Sequence, residues 1–242
     1  MISPAIRARW TYAASATSIP YRDAELYRID LAMGFDRNAY RALFGGPPWL
    51  VTAMTWAYLS FLPQFTLVLV SLFISHQIPR LQTFILAVGI ALIMTSAVAA
   101  FVPAQSAVVY VDVTPEVFTK LPIDMQGHLP TVEALRAGSL NAIHLDDLKG
   151  LITFPSFHTA GGILLAWALW RVPFIRWPAL VLNAALIAST PIDGAHYVID
   201  VIGGAAVATA ALLIARRLCC NAATKTAPSK DSAAPEPLPH QV

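Results

Sequence analysis

The chain has 242 residues and a formal net charge of +2, and 57% of its residues are hydrophobic whereas only 12% are charged. A typical soluble domain has about 25% charged residues, so this composition argues against a soluble fold, and the small net charge argues against a nucleic-acid partner. Between Ala42 and Val111 the only Lys, Arg, Asp or Glu residue is Arg80. Uncharged stretches of this length favour lipid, so we expect an all-α, polytopic membrane helical bundle.

The N-terminal segment, residues 1–48, contains six arginines and four acidic residues and no apolar run long enough to cross a bilayer. Leu26, Ile29 and Met33 recur at helical spacing. Gly34 interrupts the pattern, which resumes with Tyr40, Leu43 and Phe44. This amphipathicity predicts either an interfacial helix lying on the bilayer or a surface helix packed on the membrane domain, with charges on its other faces.

Length and apolarity predict about five transmembrane helices, near residues 49–74, 81–103, 156–172, 174–190 and 194–215. Proline marks two features of these helices. Pro63 predicts a kink within the first helix, and Pro191 predicts the end of the fourth. Arg216 and Arg217 are expected to close the fifth helix.

The predicted membrane domain therefore covers residues 49–216 and contains a loop at 104–155. Loops of this length inside a compact domain are usually functional. Local signals in the loop predict a short helix from Thr131 to Gly138. The tail at 217–242 is rich in Ala, Pro, Ser and Lys, and we expect it to be disordered.

Up-and-down threading places the start of the third helix, the end of the fourth and the start of the fifth on one membrane face, together with the loop. Polar residues cluster at these three ends: Ser156, His158 and Thr159; Ser189, Thr190 and Asp193; His196 and Asp200. The opposite ends carry arginines, namely Arg171, Arg176, Arg216 and Arg217. The positive-inside rule then predicts a non-cytoplasmic polar cluster. The six N-terminal arginines favour the opposite orientation, with the polar cluster on the cytoplasmic face, unless they lie flat on the outer surface.

His196 and Asp200 are four residues apart on a predicted helix, so they share one face. A carboxylate at this spacing can accept the proton of the near imidazole nitrogen, which leaves the far nitrogen free as a base or nucleophile. One alternative is that the two side chains only hydrogen-bond to each other where two helices pack together. Another is a metal site that adds His158 to these two ligands, but the spacing suits hydrogen bonding equally well.

Pro155 and Ser156 predict the start of a helix, with Ser156 as its N-cap and His158 in its first turn. The exposed N–H groups of a helix N-terminus favour an anion, above all phosphate. The alternative is a capped helix whose histidine merely faces the interface. Taken together, two histidines, a carboxylate and two serines on one face can supply a nucleophile, an orienting group, an acid and an anion-binding site.

Two segments resemble the motifs of the type 2 phosphatidic acid phosphatase superfamily. Residues 154–160, FPSFHTA, resemble its P-S-x-H motif, and Ser189, His196 and Asp200 resemble its S-R-x5-H-x3-D motif. Residues 194–204 are also similar to inositol phosphorylceramide synthases, which are lipid phosphotransferases of the same superfamily. The resemblance extends over roughly residues 50–216.

This resemblance implies an enzyme, a phosphatase or phosphotransferase that acts on a lipid phosphate or phosphodiester through a phosphohistidine. It implies that His196 is the nucleophile, that Asp200 orients it, and that His158 is the acid that protonates the leaving group. Ser156 and Ser189 match positions that contact phosphate. The resemblance implies no metal and no organic cofactor, and the expected partners are a lipid phosphate substrate and the bilayer.

Two departures from the family pattern concern cations. Thr190 stands where the motif has arginine, and the upstream K-x6-R-P motif is absent. Both missing groups would neutralise phosphate charge, which is often a large catalytic effect. Thr190 stays a phosphate-binding candidate, and Arg136 on the predicted loop helix is the candidate replacement cation.

Two alternative functions follow from the same residues. A non-catalytic membrane relative could keep the motifs without the cations, and a transporter could use a buried His–Asp proton relay. The transporter is less favoured because the polar cluster lies at helix ends. We expect a multi-pass protein of a bacterial inner membrane with its active site on the non-cytoplasmic face, and the sequence does not predict its oligomeric state.

Overall fold

A computed structural model of the chain describes residues 19–110, 134, 137 and 152–226. Within these residues the regular structure is helical and contains no strand, which confirms the all-α prediction. The predicted helix at 131–138, and Arg136 with it, lies outside the described residues apart from two isolated positions.

Two short helices form the N-terminal part, α1 (Asp23–Ala32) and α2 (Arg37–Gly45). Gly34 separates them with a φ of +76°, a left-handed conformation that glycine adopts without strain. The carboxylate of Asp36 then accepts hydrogen bonds from the first N–H groups of α2. The predicted break at Gly34 is therefore confirmed.

Helix α1 turns part of its predicted apolar face away from the rest of the chain. Leu26 is buried, but Ile29 and Met33 are 41% and 44% exposed, whereas Asp23 and Asp30 are buried. The two carboxylates face inward because they bind backbone N–H groups of the rest of the chain. The helix thus packs on the membrane domain, and a position at the bilayer interface stays a prediction.

The first apolar segment consists of two helices, α3 (Pro48–Leu59) and α4 (Phe61–Ile74), whose axes differ by 55°. The bend lies at Ser60, three residues before Pro63, so the predicted kink is confirmed. A proline ring clashes with the carbonyl group four residues earlier, here that of Leu59, the last residue of α3, and this clash interrupts the helix.

The remaining helices are α5 (Ile78–Phe101), the four-residue α6 (Ala107–Tyr110), α7 (Phe157–Leu169), α8 (Arg176–Asp193) and α9 (Val198–Thr226). Two predicted limits are wrong. Helix α8 continues through Pro191 to Asp193, with Gly194 as its C-cap, although a proline inside a helix removes one backbone hydrogen bond and crowds the carbonyl group four residues earlier. Helix α9 continues past Arg217, so the start of the predicted disordered tail is helical to Thr226.

Among the residues that the structure describes, two helices are long and apolar enough to cross a membrane, α5 and the part of α9 from Val198 to Asn221. The bent pair α3 and α4 makes a third if it is counted as one span. These helices agree with an integral membrane protein, but the count of about five is not confirmed. Helix α7 has only 13 residues. At 1.5 Å per residue it is about 20 Å long, shorter than the roughly 30 Å hydrocarbon core.

The core lies where α7 packs against α4, α5, α8 and α9, while α5 packs along α9. Its buried side chains are mostly Leu, Val and Ala, among them Val68, Leu72, Ala87, Ala91, Leu164, Leu165, Leu186, Ala208 and Ala211. Glycine allows the closest approach. A Cβ atom at Gly204 of α9 would overlap the carbonyl oxygen of Ser156 and lie 2.9 Å from Cβ of Thr159. This contact joins the start of α7 to the start of α9.

We therefore expect Gly204→Ala to lower the free energy of unfolding by about 1–3 kcal/mol, because backbone must shift to accept the methyl group. The matched control is Gly162→Ala in α7, where the new Cβ would meet a Leu186 methyl group at 3.3 Å. That side chain can adjust, so we expect little change. Thermal unfolding of both variants in detergent measures the difference, and equal stability of the two would contradict the packing argument.

Candidate active site

His196 and Asp200 form a buried pair at the junction of α8 and α9. Nδ1 of His196 lies 3.0 Å from Oδ2 of Asp200, and their side chains are 5% and 0% exposed. The same carboxylate oxygen accepts the N–H of Tyr197 at 2.9 Å. The predicted hydrogen bond is therefore present. Since Nδ1 is engaged, Nε2 is the imidazole nitrogen that remains for chemistry.

Ser156 begins α7 as predicted, and its hydroxyl oxygen accepts the N–H of Thr159 at 3.3 Å. The N–H of Ser156 donates to the carbonyl oxygen of Asp200 at 3.0 Å. The two sequence motifs thus meet through a backbone bond between α7 and α9. The absence of a side chain at Gly204 permits this approach.

His158 lies in the first turn of α7 against two aromatic rings. The ring of Tyr58 stacks on it with centroids 4.4 Å apart, and Phe61 packs at 4.5 Å. Tyr58 also lies near the other histidine. Gly194 lies beside both rings, since a Cβ atom placed on this glycine would be 3.1 Å from Cε2 of Tyr58 and 2.7 Å from Cδ2 of His196. The structure therefore brings both histidines to the neighbourhood of one tyrosine.

Ser189 and Thr190 are fully buried near the end of α8. Both hydroxyl groups donate to the carbonyl oxygen of Leu186, each at 2.9 Å. Thr190 meets the site through its backbone, because its carbonyl oxygen accepts the N–H of His196 at 3.4 Å. The structure thus places both residues beside the histidine loop, with hydroxyl protons directed to their own helix.

Asp193 adds a second buried carboxylate to this region. Its Oδ1 accepts the hydroxyl of Thr55 in α3 at 3.0 Å, and its Oδ2 has no hydrogen-bond partner among the described residues. A carboxylate 3% exposed with one unpaired oxygen is costly. Within the same residues, no three His, Cys, Asp or Glu side chains are grouped so that they could hold a metal ion.

The contributions of Arg37 and Asp30 were not predicted from the sequence. Arg37 donates through Nη1 to the carbonyl oxygen of Pro191 at 3.0 Å and through Nη2 to that of His196 at 2.6 Å. The two oxygens of Asp30 accept the N–H groups of Val198 and Ile199, each at 2.9 Å, and so cap α9.

Asp23 holds the same loop from a third position. Its Oδ1 accepts the hydroxyl of Tyr197 at 2.9 Å, and its oxygens also accept the N–H groups of Gln105 and Ser106. Asp23 and Asp30 lie two turns apart on α1, so two carboxylates on one helical face with Leu26 between them were the available signal. Their partners are too distant in the sequence to be inferred.

The electrostatic environment keeps His196 neutral. His196 lies between α8 and α9, outside the membrane-spanning segments, and its burial lowers its pKa to about 4. The carbonyl group of Thr153 acts in the opposite direction by favouring the protonated ring, and the positive charge of Arg37 lowers the pKa further. A neutral imidazole at neutral pH is the state that a nucleophile requires.

Comparison with known proteins gives one match. A family model described as the PAP2 superfamily matches residues 24–214, which include α1 and α2 as well as the motif-bearing helices. No curated protein and no solved structure matches the chain. A match over most of the chain shows the family, whereas the inositol phosphorylceramide synthase branch is not shown. The chain therefore belongs to the PAP2 superfamily, and this membership supports the activity of a phosphatase-type lipid phosphoesterase.

Proposed function

We propose that the chain is an integral membrane phosphatase or phosphotransferase that forms a phosphohistidine on His196 from a lipid phosphate or phosphodiester. The observation that carries the proposal is the buried bond between Nδ1 of His196 and the carboxylate of Asp200. In the proposed mechanism Nδ1 donates to the carboxylate, which leaves Nε2 unprotonated, and the carboxylate stabilises the positive charge that develops on the ring during attack.

In the proposed first step, Nε2 of His196 attacks phosphorus and forms a P–N bond as the P–O bond to the leaving group breaks. His158, protonated, gives its proton to the leaving oxygen. In the second step, neutral His158 takes a proton from water or from a lipid hydroxyl. The resulting oxygen nucleophile attacks phosphorus, and the P–N bond breaks to restore neutral His196.

The start of α7 is the proposed phosphate site. The Ser156 hydroxyl uses the N–H of Thr159, and helix geometry leaves the N–H groups of Phe157 and His158 without an intrahelical acceptor. These groups and the helix dipole favour an anion. Ser189 and Thr190 are proposed as further contacts, which requires their hydroxyl groups to rotate away from the Leu186 carbonyl.

The finer assignments belong to the same proposal. We take the short helices α7 and α8 as membrane-crossing elements, which gives five passes with the bent pair counted once. The similarity of residues 194–204 to inositol phosphorylceramide synthases favours transfer to a lipid hydroxyl as the alternative to hydrolysis. A non-catalytic relative is the remaining alternative, and the phosphoenzyme experiment separates it from both.

Purified protein given a radiolabelled lipid phosphate should trap a phosphoenzyme that is acid-labile and base-stable, as expected for a phosphoramidate. His196→Ala should abolish the label because it removes the atom that forms the bond. Asp200→Asn should lower turnover on the order of 10³–10⁴-fold, since the ring keeps its place but loses its tautomer and charge support. His76→Asn, at an exposed histidine between α4 and α5, is the matched control.

His158→Ala separates the two steps. With a substrate that has a good leaving group, departure needs little protonation, so label should still accumulate while its onward transfer slows. Chase then distinguishes the reactions. Release as inorganic phosphate in water alone indicates hydrolysis, and persistence of the label until a hydroxyl lipid is added indicates transfer. Folded protein that traps no label from any phospholipid class would support the non-catalytic alternative.

The pKa of His196 makes a separate prediction about acidity. The imidazole attacks only when neutral, so activity should be lost as the pH falls through about 4, not through the ordinary histidine value near 6.5. The measurement is kcat/KM against pH with a phosphodiester lipid, whose own charge stays constant in this range. An acid limb near pH 6.5 would contradict the assignment of this lowered pKa to the attacking imidazole.

A reporter protein fused behind α9 tests the sidedness. The arginine-rich ends of the helices, including Arg171, Arg176 and Arg216, predict that this fusion lies in the cytoplasm and the active site on the opposite side. A fusion that is active only outside the cytoplasm would reverse the assignment.

A further inference from the structure

Arg37 is buried against the loop that carries His196. It is 8% exposed, and its two terminal nitrogens bond carbonyl oxygens at both ends of the turn between α8 and the histidine. These oxygens belong to Pro191 and His196, and the shorter bond, at 2.6 Å, goes to the histidine itself. A planar guanidinium can bridge two acceptors in this way, which a lysine ammonium does less well.

We propose that Arg37 is the positioning residue of His196, holding its loop rigid and supplying a positive charge beside its ring. The inference rests on the proposed function, since it assigns a role toward the same nucleophile.

The charge of Arg37 is not cancelled by a direct ion pair. No carboxylate lies within salt-bridge distance of its guanidinium among the described residues, and the oxygens of the neighbouring Asp30 already accept two N–H groups of α9. Its Cζ atom lies 6.0 Å from the centre of the Tyr197 ring, which adds a weak cation–π contact. In a buried environment such a charge acts over several ångströms.

Several other groups surround His196 from the helices packed on it. They are Asp200 on α9, the carbonyl group of Thr153, His158 on α7, Asp193 on α8, Tyr58 on α3, and Asp23 and Asp30 on α1. Among charged side chains, that of Arg37 is the one that lowers the pKa of His196, in the same direction as burial. Removing this charge should therefore make the ring easier to protonate.

Two variants separate the charge from the bonds. Arg37→Gln removes the charge and one of the two carbonyl bonds, whereas Arg37→Lys keeps the charge and loses the bridge. The matched control is Arg28→Gln on α1, an exposed arginine of the same N-terminal segment. The measurement is the pH profile of kcat/KM with a phosphodiester lipid, with thermal unfolding as the check on folding.

For Arg37→Gln we expect the acid limb to move to higher pH and the plateau of kcat to fall about 100-fold, a loss typical of a misplaced reacting group. For Arg37→Lys we expect the wild-type acid limb and a smaller fall in kcat. The control should match wild type in both. If the substitutions only loosened the fold, the plateau of kcat would fall in both variants, but the acid limb of the glutamine variant would not move.

An unchanged acid limb in Arg37→Gln would overturn the electrostatic role, and wild-type kcat in Arg37→Lys would overturn the positioning role. The lysine variant keeps the second test available if the glutamine variant does not fold. The proposed function fails separately. Wild-type protein that forms no phosphohistidine overturns that proposal. Wild-type protein that does form it, together with Arg37 variants that have the wild-type pH profile and kcat, overturns only this inference.

Discussion

The buried carboxylate of Asp200 is the group on which the geometry of the site depends. A carboxylate removed from water is stable only if hydrogen bonds replace its hydration. Its Oδ2 takes a bond from His196 and another from the N–H of Tyr197, whereas its Oδ1 is buried without a hydrogen-bond partner among the described residues. Its backbone carbonyl accepts the N–H of Ser156. These bonds orient the histidine, shape the turn before α9 and fix the start of α7 beside it.

The loop that carries His196 does not hold its own shape. Ala195 has a φ of +53°, a conformation that L residues adopt only when their surroundings require it, and its carbonyl oxygen accepts the N–H of Ala107. Further restraint comes from Asp23, Asp30 and Arg37 in the N-terminal helices. The family match begins at residue 24, so the matched region includes most of α1 and all of α2. These helices therefore help to hold the loop of the site in place.

The departures from the predicted helices have physical causes at particular residues. Pro191 was expected to end α8, but the helix continues to Asp193, and the carbonyl oxygen of Pro191 accepts a bond from Arg37. The bend predicted from Pro63 lies at Ser60, because the proline ring clashes with the carbonyl group of Leu59, four residues earlier. On α1, backbone donors elsewhere in the fold bind Asp23, so the face that carries Asp23 is turned inward and Ile29 is exposed.

The sequence by itself determined the membrane character of the chain, its helical class, the cap at Ser156 and the contact between His196 and Asp200. Each of these depends on local spacing or on composition, which the chain order fixes directly. Only the tertiary structure decided that Arg37 bonds the carbonyl of His196, 159 residues away. A carbonyl oxygen is present in every residue, so the sequence carries no signal for which one a buried guanidinium will meet. That choice is made when the helices pack.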